Sequence, residues 1–247
     1  MTEYVNRTYR LLHNQKDLYF FRVALKETDL DIGAPGKIIT PSLIEGIRKE
    51  IIAIRSQIEG YIKENELFLT TLKPFPINKD APEIVRIMTE AGNTAGIGPM
   101  SAVAGAIAHH VGLYLGRRSS ELIVENGGDI YLRSSRLRKI GIFAGPSPFT
   151  NRLAIEIEPH QTPLGICTSS GTVGHSLSFG CADAVVILAP FAALADAVAT
   201  ATGNLVQSEA DLQAAVDFAM GIKSVTGALA IKNDKLAAVG NIQLAPI

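Results

Sequence analysis

The feature that most constrains the fold of this chain is a long stretch without charged side chains. Residues 91–116 contain no Asp, Glu, Lys or Arg. The stretch is long enough to span a bilayer. However, it consists largely of small residues, is interrupted by Pro99, and carries His109 and His110. We therefore interpret it as a glycine-containing loop followed by a buried core helix, and we expect no membrane association.

The composition narrows the classes of function. Hydrophobic residues make up 47% of the 247 residues, and charged residues only 19%, against about 25% charged in typical globular chains. The formal net charge is −1, which lacks the basic character of a nucleic-acid binder. Residues 1–7 have no apolar run typical of a secretion signal, and Cys167 and Cys181 are too few for a disulfide framework. We expect a cytoplasmic protein that does not bind nucleic acid, and an oligomer is compatible with the sequence.

The hydrophobic pattern predicts a single α+β domain over residues 1–247. Apolar residues recur at helical spacing after Thr40, a suitable N-cap residue, and Pro41, which favours the first helical position. Strands gather in the second half of the chain with helices interposed singly, which favours a mixed sheet over a regular βαβ series. We expect two buried Ala/Gly-rich helices, over about 99–116 and 191–202, to pack through their small residues. Further helices are predicted over about 41–64, 80–91 and 209–220, and strands over 18–26, 68–72, 121–125, 129–133, 139–143, 152–158, 164–168, 182–189, 228–231 and 236–239.

Two glycine-containing segments are candidates for ligand binding. Gly96 and Gly98 lie in the predicted loop ahead of the charge-free helix, and the free N–H groups of a helix start suit a phosphate. The second segment is Asn126-Gly127-Gly128-Asp129, between two apolar strands. Both segments also have a purely structural interpretation, because Asn-Gly and Gly-Gly dipeptides are typical of tight hairpin turns.

Polar side chains supply two further candidates. Thr168-Ser169-Ser170 ends a predicted strand, and His175 follows. These hydroxyls suit a phosphate or the edge of a flavin, and the imidazole suits general acid or base catalysis; a polar loop is the alternative. Asp196 and Thr200 project from one face of a predicted helix. Their oxygen atoms suit magnesium, which is usually bound through one or two carboxylates and substrate phosphates, and the alternative is that Asp196 caps a shorter helix.

Taken together and in order, these segments resemble the flavin-transferase (ApbE-type) superfamily, whose members move FMN from FAD to a protein Ser or Thr. Residues 124–130 resemble its Gly-Gly-Asp strand turn, and residues 168–171 resemble its Thr/Ser-Ser-Gly segment. Residues 195–201 resemble its motif in which an Asp and a Thr help to bind magnesium. The resemblance implies an ApbE-like, T-fold-related architecture with a flavin or nucleotide pocket formed by the four segments, and it places magnesium on Asp196 and Thr200.

The chain is most similar to a short branch of that superfamily that lacks a signal sequence, through residues 27–30, 98–105 and 168–176. It departs from true transferases at Gly98-Pro99-Met100-Ser101, where they have a Lys-Gly-containing segment. Residues 174–180 replace an Asp-Pro-Arg-Thr-Gly-like stretch in the same way. His175 is then the nearby side chain with a near-neutral pKa and the candidate catalytic group.

We therefore expect a magnesium-dependent protein that binds FMN, FAD or a dinucleotide similar to FAD. Transfer of FMN to a protein acceptor should be feeble, because both departures remove segments that orient flavin and acceptor. The first alternative is a non-catalytic ligand-binding or accessory protein of anaerobic sulfur assimilation that handles sulfur through Cys167 or Cys181. The second is a structural protein without a small ligand.

Overall fold

The computed structural model describes Arg10, residues 15–172 and residues 178–247, and these ranges contain eleven strands and six α-helices. The helices are α1 (Pro41–Glu64), α2 (Glu66–Thr70), α3 (Glu83–Ala95), α4 (Val103–Gly116), α5 (Ala192–Leu205) and α6 (Leu212–Met220). The strands are β1 (Tyr19–Leu25), β2 (Thr28–Ala34), β3 (Leu122–Asn126), β4 (Asp129–Arg133), β5 (Arg138–Gly141), β6 (Leu153–Ile157), β7 (Leu164–Ser169), β8 (Ala184–Ala189), β9 (Gly227–Lys232), β10 (Lys235–Gly240) and β11 (Gln243–Pro246).

The strands form two antiparallel sheets. Eight strands make the large sheet in the order β1-β2-β3-β4-β7-β8-β9-β10, and three make a small sheet in the order β11-β6-β5. Neighbouring strands of the large sheet are consecutive in the chain, except for β4 and β7. The strands between these two, β5 and β6, belong to the small sheet. The predicted α+β fold class with buried Ala/Gly-rich helices is thereby confirmed, and the sheet expected to be mixed is antiparallel throughout the described residues.

The large sheet is covered by helices on one face and by the small sheet on the other. In β4, Ile130 and Leu132 pack in one hydrophobic cluster with Ile155 of the small sheet. Tyr131 between them packs in another cluster with residues of α1 and α4. Because side chains alternate along a strand, Asp129 faces the helices, as Tyr131 does. The candidate carboxylate of β4 therefore points into the layer between sheet and helices.

The two Ala/Gly-rich helices pack through small residues, as predicted. A Cβ atom at Gly105 of α4 would lie 2.4 Å from the carbonyl oxygen of Ala192 in α5 and 2.8 Å from Cβ of Asp196. One at Gly112 would lie 2.1 Å from the ring of Tyr131. The absence of side chains at these positions is what allows α4 to approach both α5 and β4. Across the described part of the chain, no helix combines the length and the apolar character needed to cross a membrane.

One predicted strand is wrong. Residues 68–72 were expected to be extended, but Glu66–Thr70 forms α2. Only Phe68 of this segment is fully buried, edge-on between the rings of Tyr61 and Phe75, whereas Leu67 and Leu69 are exposed. One buried residue flanked by two exposed ones fits the alternation of a strand as well as a helix turn, so the local pattern does not separate the two.

Element boundaries also differ from the prediction around α3. Residues 92–95, expected to be part of a glycine loop, form the last turn of α3, and the helix ends at Gly96 in the left-handed conformation with φ of 77°. Two strands, β2 and β11, were not predicted at all.

The close approach of α4 to α5 predicts how substitutions of glycine change the free energy of unfolding. Gly105→Ala should destabilise the protein by about 1–3 kcal/mol, because the new methyl group meets backbone atoms that cannot move aside cheaply. Gly60→Ala is the matched control: Gly60 lies in α1 with no atom within 4 Å of its added Cβ, so that change should stabilise by roughly 0.5–1 kcal/mol. Urea unfolding of the two variants checks both values, and equal effects would contradict the packing described.

Candidate functional site

The segment Asn126-Gly127-Gly128-Asp129 forms the tight hairpin turn between β3 and β4. Asn126 and Asp129 pair across the turn. Gly127 and Gly128 have φ values of 70° and 107°, which glycine adopts far more readily than residues with a side chain. The interpretation of this segment as a tight hairpin turn is therefore correct. The two glycines, which have no side chains, form the end of the hairpin.

Polar contacts fix this turn against the start of α4. Asn126 Nδ2 donates to the carbonyl oxygen of Ala104 at 3.0 Å. The N–H of Gly128 donates to Glu125 Oε1 at 2.8 Å, and Glu125 Oε2 accepts from Arg10 Nε at 2.8 Å. Glu125 is 1% exposed. Sequence reasoning did not single out Glu125, and a carboxylate within the apolar run of β3 is the signal that would have found it.

Asp196 lies in the second turn of α5 and joins that helix to α4. Its Oδ2 atom accepts a hydrogen bond of 2.8 Å from the N–H of Gly105, in the first turn of α4. The first N–H groups of a helix have no partner within the helix, and a carboxylate there interacts favourably with the helix dipole. Asp196 thus caps a helix, which is the kind of role that the structural alternative predicts. The capped helix is α4, however, and not α5, in which Asp196 lies. Thr200 is half-buried one turn further along α5.

Asp129 and Asp196 form a buried carboxylate pair. They are 6% and 9% exposed. Burial raises the pKa of Asp196, against the opposing effect of the backbone N–H groups of Gly105 and Ala104. Burial also raises the pKa of Asp129 well above its ordinary value, and the nearby charge of Asp196 raises it further. A pair of this kind resists carrying two negative charges unless a proton or a cation joins it.

Cys167 completes the buried cluster. It lies opposite Asp129 in the register of β4 and β7. Its Sγ donates to the carbonyl oxygen of Ala192 at 3.3 Å. Burial raises the pKa of the thiol well above its ordinary value, and the charges of Asp129 and Asp196 add to the effect. The thiol is therefore protonated at neutral pH.

The hydroxyl segment at the end of β7 lies next to this cluster. The N–H of Thr168 donates to the carbonyl oxygen of Gly128 at 3.2 Å. A Cβ at Gly203 of α5 would lie 3.5 Å from Ser169 Oγ. Ser170 instead turns towards Thr172, whose N–H donates to Ser170 Oγ at 3.1 Å. Thr168 and Ser169 thus lie beside the turn and α5, respectively. His175, the predicted catalytic group, lies outside the described residues.

Local structure explains why glycine occurs at positions 96 and 98. Gly96 ends α3 in the left-handed conformation, a common glycine position. A Cβ at Gly98 would lie 1.9 Å from the carbonyl oxygen of Thr71, so backbone fills the space that a side chain would need. The turn that follows, Pro99–Ala102, packs against α5. A phosphate role for these two glycines stays a prediction.

The donor set of the cluster is suited to a hard cation shared with a ligand. Within residues 15–172 and 178–247, no group of three or more His, Cys, Asp or Glu side chains is arranged to hold a metal ion. Two carboxylates alone are an incomplete shell, because Mg²⁺ requires six oxygen ligands. Hydroxyl, carbonyl, water or phosphate oxygens would have to supply the rest.

The fold is that of the ApbE flavin transferases. The ApbE protein from Thermotoga maritima aligns with a TM-score of 0.60 at 14% identity, covering 91% of this chain and 97% of that one. The flavin transferase ApbE from Vibrio cholerae aligns with a TM-score of 0.58 at 14% identity and the same coverage.

Sequence comparison gives the family. The model of the family described as "AbpE bacteria" matches residues 10–236. A UPF0280 protein from Methanococcus vannielii is 38% identical over 231 residues, 92% of each chain. Another from Methanocella arvoryzae is 43% identical over 193 residues, 78% of each chain. The chain belongs to this ApbE-like family, and the predicted resemblance is confirmed.

The buried pair predicts a pH-dependent stability. Asp196→Asn removes the charge but keeps an oxygen for the N–H of Gly105. The folded-state pKa of Asp196 lies above its ordinary value of 3.8. Between about pH 4 and the folded-state pKa, the native protein therefore binds more protons than the unfolded chain. Its stability falls as the pH rises across this range. In EDTA at pH 8, the variant should exceed the wild type in stability by at least about 1.4 kcal/mol, the energy of one pKa unit.

Urea unfolding between pH 4 and pH 8 measures this difference. Asp217→Asn, an exposed position on α6, is the matched control and should leave the pH profile unchanged. If Asp196→Asn is instead less stable at pH 8, the charged carboxylate stabilises α4 as a cap, and the assignment of a raised pKa is wrong.

Proposed function

We propose that this protein binds a flavin nucleotide, FAD or FMN, where the Asn126–Asp129 turn, the start of α4 and α5 meet, and that magnesium binds there on Asp196 and Thr200. The buried pair of Asp129 and Asp196 is the observation that carries the proposal. It is held beside a helix start and beside a turn that presents two glycines. Membership of the ApbE-like family supports the same ligand.

The residues present fit a magnesium ion. Carboxylate and hydroxyl oxygens are ligands that Mg²⁺ prefers, and Thr200 follows Asp196 by one helical turn. A divalent cation would also offset the repulsion between the two aspartates; burial raises the pKa of both, and the charge of Asp196 adds to the increase for Asp129. The ligand's phosphate oxygens would complete the coordination that the side chains leave open.

Each neighbouring group has a role in binding. Asn126 fixes the turn to α4 through the carbonyl of Ala104. Gly127 and Gly128 allow a ligand to approach the backbone, and the hydroxyls of Thr168 and Ser169 are available for a phosphate or for the polar edge of the flavin ring. Bound magnesium would neutralise charge on the leaving group of a pyrophosphate cleavage. His175 is the residue we assign to proton transfer in that reaction.

We expect binding to be retained and FMN transfer to a protein acceptor to be feeble. Gly98-Pro99-Met100-Ser101 offers no lysine where true transferases carry a Lys-Gly segment. Misplacement of a reacting group by about 1 Å costs on the order of a hundredfold in rate.

The alternative role, an accessory protein that carries sulfur, finds less support. Cys167 is fully buried, and burial raises the pKa of its thiol. A sulfur carrier needs an accessible thiolate. Such a role would fall to Cys181, which is exposed.

A flavin titration tests the binding proposal. The fluorescence of FAD should change saturably as the wild-type protein is added. The dissociation constant should be at least tenfold lower in millimolar magnesium than in EDTA. Asp196→Asn should lose this magnesium dependence, since it removes the charge that attracts the cation, while Asp217→Asn should keep it. FAD binding that ignores magnesium in the wild type would contradict the metal assignment, and no binding under either condition would contradict the function.

A mass measurement tests the chemistry. Incubation with FAD, magnesium and a peptide acceptor of the transferases should give little or no FMN-sized mass gain. Any labelling that does occur should fall in His175→Ala, because proton transfer would be lost. Robust labelling at a transferase-like rate would show that the two departures do not impair catalysis.

A further inference from the structure

A cavity lies along α4 and α5, outside the residues of the proposed flavin site. It has a volume of about 620 Å³ and lies among α1, α3, α4 and α5. Its walls include none of the candidate residues in the Asn126–Asp129 turn, the Thr168–Ser170 segment or the Asp196–Thr200 pair. Cavities that hold small organic ligands typically measure about 300–1,000 Å³.

The walls of this cavity are largely apolar. Ile54 and Ile84 form buried parts of its lining. Ile87, Leu113 and Phe191 also line it and keep 38%, 54% and 59% of their surface exposed. Large apolar side chains concentrated around one concave site mark a place where a partner removes them from water.

The charged groups at the cavity are mostly negative. Glu50, Glu83 and Glu90 line it, against a single arginine, Arg117. Glu50 is paired with His110 at 3.0 Å. Within the described ranges, the carboxylates of Glu83 and Glu90 make no ion pair, and both residues are exposed along one side of α3. The opening therefore favours a cationic ligand.

His109 supplies a hydrogen-bond donor in the wall. Its Nδ1 accepts the N–H of Ala192 at 3.4 Å, so in the neutral ring the proton lies on Nε2. The ring is held edge-on to Tyr131 at 5.1 Å and tilted beside Phe191 at 5.5 Å. Burial lowers the pKa of His109 to about 4, so the ring is neutral at pH 7. No described residue bonds to Nε2, which leaves this N–H for a ligand.

We propose that this cavity binds a small organic cation: an aromatic or branched aliphatic amine with an acceptor atom for the Nε2–H of His109. The apolar body would lie against Phe191, Leu113 and Ile87. The ammonium group would lie near Glu83 and Glu90. This site is additional to the proposed flavin site and does not depend on it.

Two fluorescent probes that differ mainly in charge test the proposal. Dansylcadaverine carries a primary ammonium group, and dansyl-6-aminohexanoate carries a carboxylate on a similar chain. At low ionic strength the first should bind saturably with one equivalent per chain, at least tenfold more tightly than the second. Equal binding of the two probes, or no saturable binding of either, would overturn the proposal.

Variants locate the binding. Glu83→Gln with Glu90→Gln should weaken dansylcadaverine binding at least fivefold. Glu64→Gln with Glu66→Gln, two exposed positions outside the cavity, should leave it unchanged. Ala106→Phe should abolish binding by filling the cavity, since Ala106 is a buried part of its wall. If that variant fails to fold, the two glutamine pairs still decide the outcome, and equal behaviour of the pairs would refute the assignment.

Two controls distinguish this cavity from the flavin site and from a dimer interface. FAD affinity in magnesium should be the same in the Glu83→Gln, Glu90→Gln variant as in the wild type, and a parallel loss would show that the cavity is part of the flavin site. Probe affinity should not depend on protein concentration. If it falls while the protein dimerises, a second copy covers the cavity and the small-ligand proposal is wrong.

Discussion

The contact between α4 and α5 is the constraint on which both the core and the candidate site depend. Gly105 has no side chain, so the backbone of α4 comes close enough for its N–H to reach the carboxylate of Asp196 at 2.8 Å. The preceding residue, Ala104, offers its carbonyl to Asn126 at the hairpin turn. One helix start therefore holds a carboxylate from α5 and a turn from the sheet. Any widening of this contact would separate the groups that form the site.

The same contact carries an electrostatic cost. Two carboxylates buried in one layer are unfavourable when both are ionised. The first-turn N–H groups of α4 offset part of that cost for Asp196. What remains is relieved by a proton or by a cation. Stability and protonation at this site are thus linked, and the proposed magnesium would be linked to both.

Local signals in the sequence identified the features that depend on local structure. Thr40 and Pro41 mark the start of α1, and Thr40 Oγ1 does accept the N–H of Leu43. The Asn-Gly-Gly-Asp segment specifies its turn because glycine adopts the two backbone conformations far more readily than residues with a side chain. β2 was missed although Leu30, Ile32 and Ala34 alternate with polar residues and glycine, which is the period typical of a strand. In the fold, Asp29 is paired with Arg22 at 2.6 Å.

The assembly of the site could not be read in the same way. Asp129 meets Cys167 because β4 pairs with β7, and the chain between them leaves the large sheet to build the small one. Asp129 meets Asp196 because α5 packs on that part of the sheet. Both are long-range pairings, and hydrophobic periodicity indicates which face of a strand a side chain takes but not which distant elements lie side by side. The resemblance to a family placed Asp129 and Asp196 in one site, whereas their spacing in the sequence did not.

One of the two segments that depart from the transferases, residues 98–101, is closely packed. At Gly98 a Cβ would lie 1.9 Å from the carbonyl oxygen of Thr71, so the backbone that follows α2 occupies the space of a side chain. Pro99 then starts a tight turn whose Ser101 Oγ donates to the carbonyl of Gly98 at 2.7 Å. Substituting lysine alone at Gly98 would clash with this backbone, and restoring the transferase segment would require moving the connection between α2 and α3. Under the proposed function, the expected weakness of FMN transfer has a cause in the backbone here, and point substitutions at the carboxylate pair should change affinity without creating a transferase.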